Sequence, residues 1–304
     1  MKRLSIGGYY GGKASMLRHL LPHVGIPHAV YCELFAGSLA LLLNKPRARI
    51  EIVNDLAGEI ATFWRVLRDR GDELIRVISL TPPGEASLKE ILRAPPTDCE
   101  VEVARRFYVR TQLAYANIPT GATNTTAQSA IFAARKDNLP AVRARIAKVY
   151  VEHGDAARLI GRVVSLANSQ CAQQGGAAAV LFYADPPYLP ATRPAGANIY
   201  IEDPDGSDAT DMHQRFLDAV LKASQLGARF LISGYASDLY DDTLTSGRGW
   251  RRFEISKAVC TPLRGVSAEP RRQRRATEIL WRNYSPRPQR PAPDPLLQIL
   301  RQRQ

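Results

Sequence analysis

Leu181-Phe182-Tyr183-Ala184-Asp185-Pro186-Pro187-Tyr188 is the stretch from which the rest of the chain can be read. It closes an apolar run, residues 178–184, short and continuous enough for a strand buried on both faces. The run stops at Asp185. Pro186 and Pro187 fix φ and remove two backbone donors, so the strand cannot continue through them. The expected product is a stiff corner at the carboxyl end of a strand. It presents a carboxylate, carbonyls with no neighbouring N–H to satisfy them, and an aromatic ring. In an open α/β sheet, ligands bind at that end of the strands.

A carboxylate and a carbonyl both accept hydrogen bonds from an amino group, and a tyrosine face stacks on a planar base. Together they suit an aromatic amine such as the exocyclic N6 of adenine, whose lone pair is delocalised into the ring. Two acceptors aimed at its hydrogens localise that lone pair, which is preorganisation toward a transition state. The plain alternative is a strand-ending turn with a surface tyrosine.

Working outward, residues 29–33 read as a strand, Leu34-Phe35-Ala36-Gly37-Ser38 as a turn and residues 39–43 as a helix, the first βα unit of a doubly wound sheet. A single glycine, Gly37, is not the dinucleotide fingerprint, so the turn suits a ligand without a pyrophosphate. A second strand, 49–55, ends on Asp55, where an acid commonly holds ribose hydroxyls. A nucleoside without a diphosphate, such as S-adenosyl-L-methionine, fits, and carboxylates and rings would suit its sulfonium. Asp55 can equally cap a helix over 56–68. A strand over 148–152 leads to Asp155, which either contacts an adenine amino group or caps a helix over 156–162. Residues 168–176 read as a polar loop. Beyond Tyr188, residues 189–211 suggest a lid or a DNA-facing loop. A helix over 211–225, a strand over 229–233, a short helix over 237–243 and an antiparallel pair, 250–256 with 277–283, complete the pattern.

Ahead of the sheet, Gly7-Gly8-Tyr9-Tyr10-Gly11-Gly12-Lys13 lets backbone approach a ligand closely. Tyr9 or Tyr10 can face a cation and Lys13 a carboxylate or phosphate, but Ala14 stands where a phosphate loop needs a hydroxyl. The alternative is a flexible N-terminal arm. A helix over 14–21 ends at Pro22. Residues 81–140 read as a helical insertion with helices over 85–93 and 100–115. There Arg105, Arg106, Arg110, Arg135 and Lys136 can contact phosphates and Asn117, Asn124 and Gln128 can read base edges, or all can belong to a solvated face. Arg271, Arg272, Arg274 and Arg275 form a loop that adds salt-sensitive affinity if it faces a phosphate backbone.

The 304 residues carry a net charge of +12, which favours a polyanionic partner. Cys32, Cys99, Cys171 and Cys260 have no zinc or redox spacing, and no metal is expected. No apolar stretch is long enough to span a membrane and no secretory signal is read, so a cytoplasmic protein is expected.

In this order, Tyr9 to Lys13, Glu33 to Ser38, Asn54-Asp55, His153 to Asp155, Asp185 to Tyr188, Ser233-Gly234-Tyr235 and residues 277–284 resemble the Dam-like family of adenine-specific DNA methyltransferases. The resemblance spans about residues 5–284. It implies a Rossmann-like α/β methyltransferase sheet over residues 1–284 with an inserted helical target-recognition subdomain at about 72–140. A basic, Pro- and Arg-rich tail, 285–304, is expected to be disordered. It implies S-adenosyl-L-methionine as cofactor, held by Tyr9, Lys13, Phe35, Gly37, Asp55, Asp155 and Asp185. Asp185, the Pro186 carbonyl and Tyr188 would hold a flipped adenine. Double-stranded DNA is the implied partner; the candidates to meet it, Arg110, Asn117, Asn124, Arg271, Arg272, Arg274 and Arg275, rest on the charge and polar pattern, since the recognition segment matches no motif of the family. The protein would be a monomer or weak dimer, with or without a cognate restriction endonuclease, in the cytoplasm of a bacterium or of a phage's host. The turn departs from the family in Leu34, where proline is usual, and in Leu39, where a small residue is common. Alternatives are an adenine methyltransferase acting on RNA and a non-catalytic, DNA-binding relic.

Overall fold

The computed structural model describes residues 3–7, 11–114, 126–170, 172–189, 206–259 and 274–285. Within them one sheet contains β1 (Val30–Glu33), β2 (Ile50–Asp55), β3 (Val149–His153), β4 (Val180–Ala184), β5 (Arg229–Gly234), β6 (Arg251–Val259) and β7 (Arg274–Arg282). The order is β3-β2-β1-β4-β5-β7-β6. The first five strands are parallel, and β7 enters antiparallel between β5 and β6. The doubly wound reading is therefore correct, including the late antiparallel pair.

The apolar run that ends at Asp185 is the central strand, and its side chains alternate between two cores. Leu181 and Tyr183 join Tyr31, Val53, Leu231 and Leu280 on one face. Val180, Phe182 and Ala184 join Cys32, Phe230, Ile232 and Trp281 on the other. Phe182 and Phe230 stack across β4 and β5 with centroids 4.7 Å apart.

The first face is covered by α1 (Leu17–Val24), α2 (Ala40–Asn44), α3 (Gly58–Asp69), α4 (Gly71–Leu80), α5 (Glu85–Arg93), α6 (Glu100–Leu113), α7 (Thr126–Lys136) and α8 (Leu139–Ile146), of which α3–α8 lie between β2 and β3. The second is covered by α9 (Ala156–Gln170), α10 (Gly206–Gln225) and α11 (Asp238–Thr243). A buried ion cluster pins α8 to the sheet. Glu51 accepts from Lys45 at 2.6 Å and from both terminal nitrogens of Arg145 at 2.5 and 2.9 Å.

Several boundaries differ from expectation. Pro22 lies inside α1, which runs on to Val24 after a 3-10 turn at Lys13–Met16. A proline near a helix's end removes one hydrogen bond, and the burial of Leu20 and Val24 outweighs that loss. The helix α9 runs past residue 162 to Gln170, into the first residues of the expected polar loop, because its apolar stripe continues through Val163, Val164 and Ala167. Asn168 then accepts from the Ala177 N–H at 2.8 Å. The helix α10 begins at Gly206, before residue 211. Arg274 and Arg275 belong to β7, opposite Val259 and Ala258, rather than to a loop. Tyr9, Tyr10, Asn117, Asn124, Arg271, Arg272, most of the 189–211 segment and the tail lie outside the described residues. No helix among the described residues is long and apolar enough to cross a membrane.

Candidate active site

Backbone and side-chain ties knit the carboxyl ends of the strands together. Leu34 N–H donates to the Tyr183 carbonyl at 2.9 Å and Ala36 N–H to the Asn54 carbonyl at 2.8 Å. The buried Asn54 amide donates to the Leu34 carbonyl at 3.1 Å and to the Gly154 carbonyl at 2.9 Å, joining the exits of β1, β2 and β3. The turn after β1 is fixed at Gly37, whose N–H donates to Asp55 Oδ2 at 3.0 Å and whose carbonyl accepts from Trp64 Nε1 at 3.0 Å. Gly37 has φ +43° and Leu39 φ +51°. Leu39 is the positive-φ residue other than glycine among those described, and α2 begins directly after it, at Ala40.

Behind this edge lies a cavity of about 1160 Å³, open mouth included. Its wall includes Gly12, Lys13, Glu33, Phe35, Gly37, Asp55, Ile60, Asp155, Asp185, Pro186, Tyr188 and Phe216. Six predicted cofactor residues, Lys13, Phe35, Gly37, Asp55, Asp155 and Asp185, thus meet in one space. Phe35 sits edge-on to Phe216 at 5.5 Å. The capping reading holds for Asp155 and not for Asp55, since α3 starts at Gly58 with Ala57 before it and Asp55 serves the turn ahead of that helix. Asp55 Oδ1 accepts from Ala57 N–H at 3.0 Å, and Asp155 Oδ1 accepts from Arg158 N–H at 2.9 Å at the start of α9. Each carboxylate oxygen has a second lone pair to offer a ligand.

The charged centre lies at the Asp185 corner. Asp185 Oδ1 is 2.7 Å from Lys13 Nζ and accepts from the Ser233 hydroxyl at 2.9 Å. Tyr183 OH lies 2.9 Å from the same hydroxyl. Lys13 Nζ is also 2.8 Å from Glu278 Oε1 and 3.1 Å from Tyr188 OH. Tyr188 OH in turn donates to Glu278 Oε1 at 3.3 Å. Burial alone would lower the Lys13 pKa, but Asp185, Tyr188 and Glu278 raise it well above the ordinary lysine value, so the ammonium persists. Burial raises the Asp185 carboxyl, against the pull of Lys13. Burial likewise holds the Tyr188 phenol far above its usual range, which keeps it a donor. Glu33 accepts from Tyr31 OH at 2.9 Å and Leu42 N–H at 3.0 Å, yet burial pushes its carboxyl up to about 8. The Tyr188 ring stacks on Tyr235.

Glu278, Ser233 and Tyr183 are site residues that the sequence reading did not assign. Glu278 is an acid within a buried, apolar strand, and that anomaly was the available signal. The arginines of the helical insertion are engaged internally. Arg110 pairs with Glu59, Arg105 and Arg106 with Glu102, and Arg135 with Gln112.

The cavity's chemistry fits S-adenosyl-L-methionine: carboxylates for hydroxyls, amines and a sulfonium, and rings along an apolar wall. No curated protein matches the chain. The family model for D12 class N6 adenine-specific DNA methyltransferases matches residues 9–257. The chain belongs to this D12 class, whose members use S-adenosyl-L-methionine to methylate the N6 amine of adenine in DNA.

Proposed function

We propose that the chain methylates adenine in duplex DNA at the Asp185 corner, with the base turned out of the helix. The observation that carries this is the state of Asp185. Its Oδ1 is occupied by Lys13 and Ser233, while Oδ2 accepts from none of the described residues. That oxygen and the Pro186 carbonyl are the two acceptors for the hydrogens of N6. Lys13 and Ser233 fix the carboxylate's plane, so the acceptors are in place before the amine arrives and need no reorganisation.

Tyr188 supplies the stacking surface. Its hydroxyl is held by Lys13 and Glu278, which locks the ring angle. Stacking on one ring contributes ~1–3 kcal/mol and offsets part of the few kcal/mol that unpairing costs. The cofactor supplies a methyl already activated on sulfur. Lys13 and the Asp55 and Asp155 carboxylates bind and orient it, and the Gly37 turn sets its approach. Positioning and electrostatics therefore carry most of the rate.

Helices α4–α8, with the polar segment 115–125, act as the target-recognition unit, and Asn117 and Asn124 remain its base-reading candidates. Arg271, Arg272, Arg274 and Arg275 supply sequence-independent phosphate affinity. Arg110 contributes to this only by leaving Glu59, so its first role is to join α6 to α3.

The test is transfer of labelled methyl to mixed duplex DNA, followed by nucleoside analysis. N6-methyladenine that disappears in Asp185→Ala is expected. Undiminished transfer by Asp185→Ala would remove Asp185 from the chemistry, and label found only in RNA would move the substrate.

A further inference from the structure

Glu278 stands one layer behind Lys13, on β7. It is 2% exposed, 2.8 Å from Lys13 Nζ and 3.3 Å from Tyr188 OH. Lys13 is at the same time 2.7 Å from Asp185. The group contains two carboxylates and one ammonium, in a place nearly closed to water. A Lys13–Asp185 pair alone matches one acid to one ammonium, and Glu278 brings a second acidic side chain to the same Nζ.

The neighbouring acids do not change this balance. The Glu33 carboxyl, pushed up to about 8, keeps its proton at neutral pH. Asp55 and Asp155 line the same cavity, but they are held by the backbone N–H groups of Gly37, Ala57 and Arg158 and stay the same in every Glu278 variant, so a difference between variants reads Glu278. The methyl donor carries a positive sulfur, whereas its product, S-adenosylhomocysteine, is a neutral thioether of almost the same shape. Negative charge held beside the cavity acts on the first and hardly on the second.

We propose that Glu278 is the countercharge by which this site prefers the cationic methyl donor over its spent product. The proposal rests on reading the cavity as the cofactor site. Glu278 is a positioning residue for Lys13 and Tyr188 as well, and a purely structural role would affect both ligands alike.

The test is calorimetric titration of the full chain with S-adenosylmethionine and with S-adenosylhomocysteine, without DNA. Glu278→Gln keeps the shape and removes the charge. It should weaken the donor roughly tenfold relative to the product, a difference of about 1.4 kcal/mol. Glu278→Asp should keep the wild-type preference. Equal losses for the two ligands in Glu278→Gln would overturn the proposal. Lys13→Met makes the opposite change in charge and covers the case in which Glu278→Gln does not fold. Its affinities fall for both ligands, but the donor's relative preference should hold or rise, and a collapse of that preference also overturns the proposal. A wild-type chain that binds neither ligand rejects the cofactor site itself, a failure visible before any substitution is made.

Discussion

The rings of Tyr188 and Tyr235 stack with centroids 4.1 Å apart and planes 27° from parallel. A base that stacks on the inner face of Tyr188 must part this pair by the thickness of a ring, and it then gains two aromatic faces instead of one. Tyr188→Ala should lower kcat/KM for DNA roughly tenfold to a hundredfold, the equivalent of ~1–3 kcal/mol of stacking. Tyr235→Ala should show a smaller loss in the same parameter. Steady-state kinetics with varied DNA decides it, and unchanged values for both variants would exclude a base from this pair.

Asp55 holds two backbone N–H groups, Gly37 through Oδ2 and Ala57 through Oδ1. Asp55→Ala leaves both donors without a partner at the cavity wall, a loss of roughly 1–3 kcal/mol each where they are buried. The expected outcome is at least a tenfold loss of cofactor affinity, measured by titration, with a lowered melting temperature. Asp55→Asn, which retains one acceptor, should fall between the two.

Glu33 makes stability depend on pH. Its carboxyl is pushed up from 4.5 to about 8 by burial, so the folded state holds a proton that the unfolded state releases. This contribution is fully present below about pH 4.5 and is lost as pH rises through about 8. Wild type should therefore lose on the order of a few kcal/mol between pH 5 and 8.5 that Glu33→Gln does not lose. Urea midpoints for both proteins across that window provide the check.

Gly7 has φ +100°, and a Cβ there would meet Arg135 Cδ and Gln112 Oε1 at 2.3 Å each. Gly7→Ala strains the backbone and pushes the arm away from α6 and α7, at a cost of about 1–3 kcal/mol. Lys13 follows on the same arm, so cofactor affinity should fall severalfold. Adding Arg135→Ala removes one of the two clashes and should restore part of that affinity. No recovery would show that the φ strain dominates.

The Arg145–Glu51–Lys45 cluster ties α8 to the sheet, and none of its three residues lines the cavity. Arg145→Ala leaves Glu51 and Lys45 buried without their third member and should cost about 3–5 kcal/mol. The kcat of the protein that remains folded should be unchanged. A variant with lowered kcat and an unchanged melting temperature would contradict this assignment.

The parallel strands were legible because each is short and mostly apolar and stops at a turn, and Asp185 marks the sharpest of these stops. The residues of the cavity wall were legible for the same reason, since Phe35 and Gly37 follow β1, Asp55 ends β2 and Asp155 follows β3. What could not be read was anything that depends on the path of the chain between distant elements. Glu278 meets Lys13 only because β7 inserts beside β5, and local pattern contains no trace of that. Arg110 read as a phosphate contact because its partner Glu59 lies on another helix. The length of α9 was missed because Asn168 and its polar neighbours read as a loop. The continuing apolar stripe on that helix is a stronger signal than those few polar residues.

The charged centre draws Lys13 from one end of the described chain and Glu278 from the other, across β5 and β7. During synthesis this is a timing constraint. Until the ribosome has released β7, β5 presents an open sheet edge, and Lys13 has Asp185 and Tyr188 but lacks Glu278. The nascent chain is thus both inactive and prone to edge-to-edge pairing until its last strand docks. A transcript cut short within β7 should yield aggregated protein and not a weak enzyme.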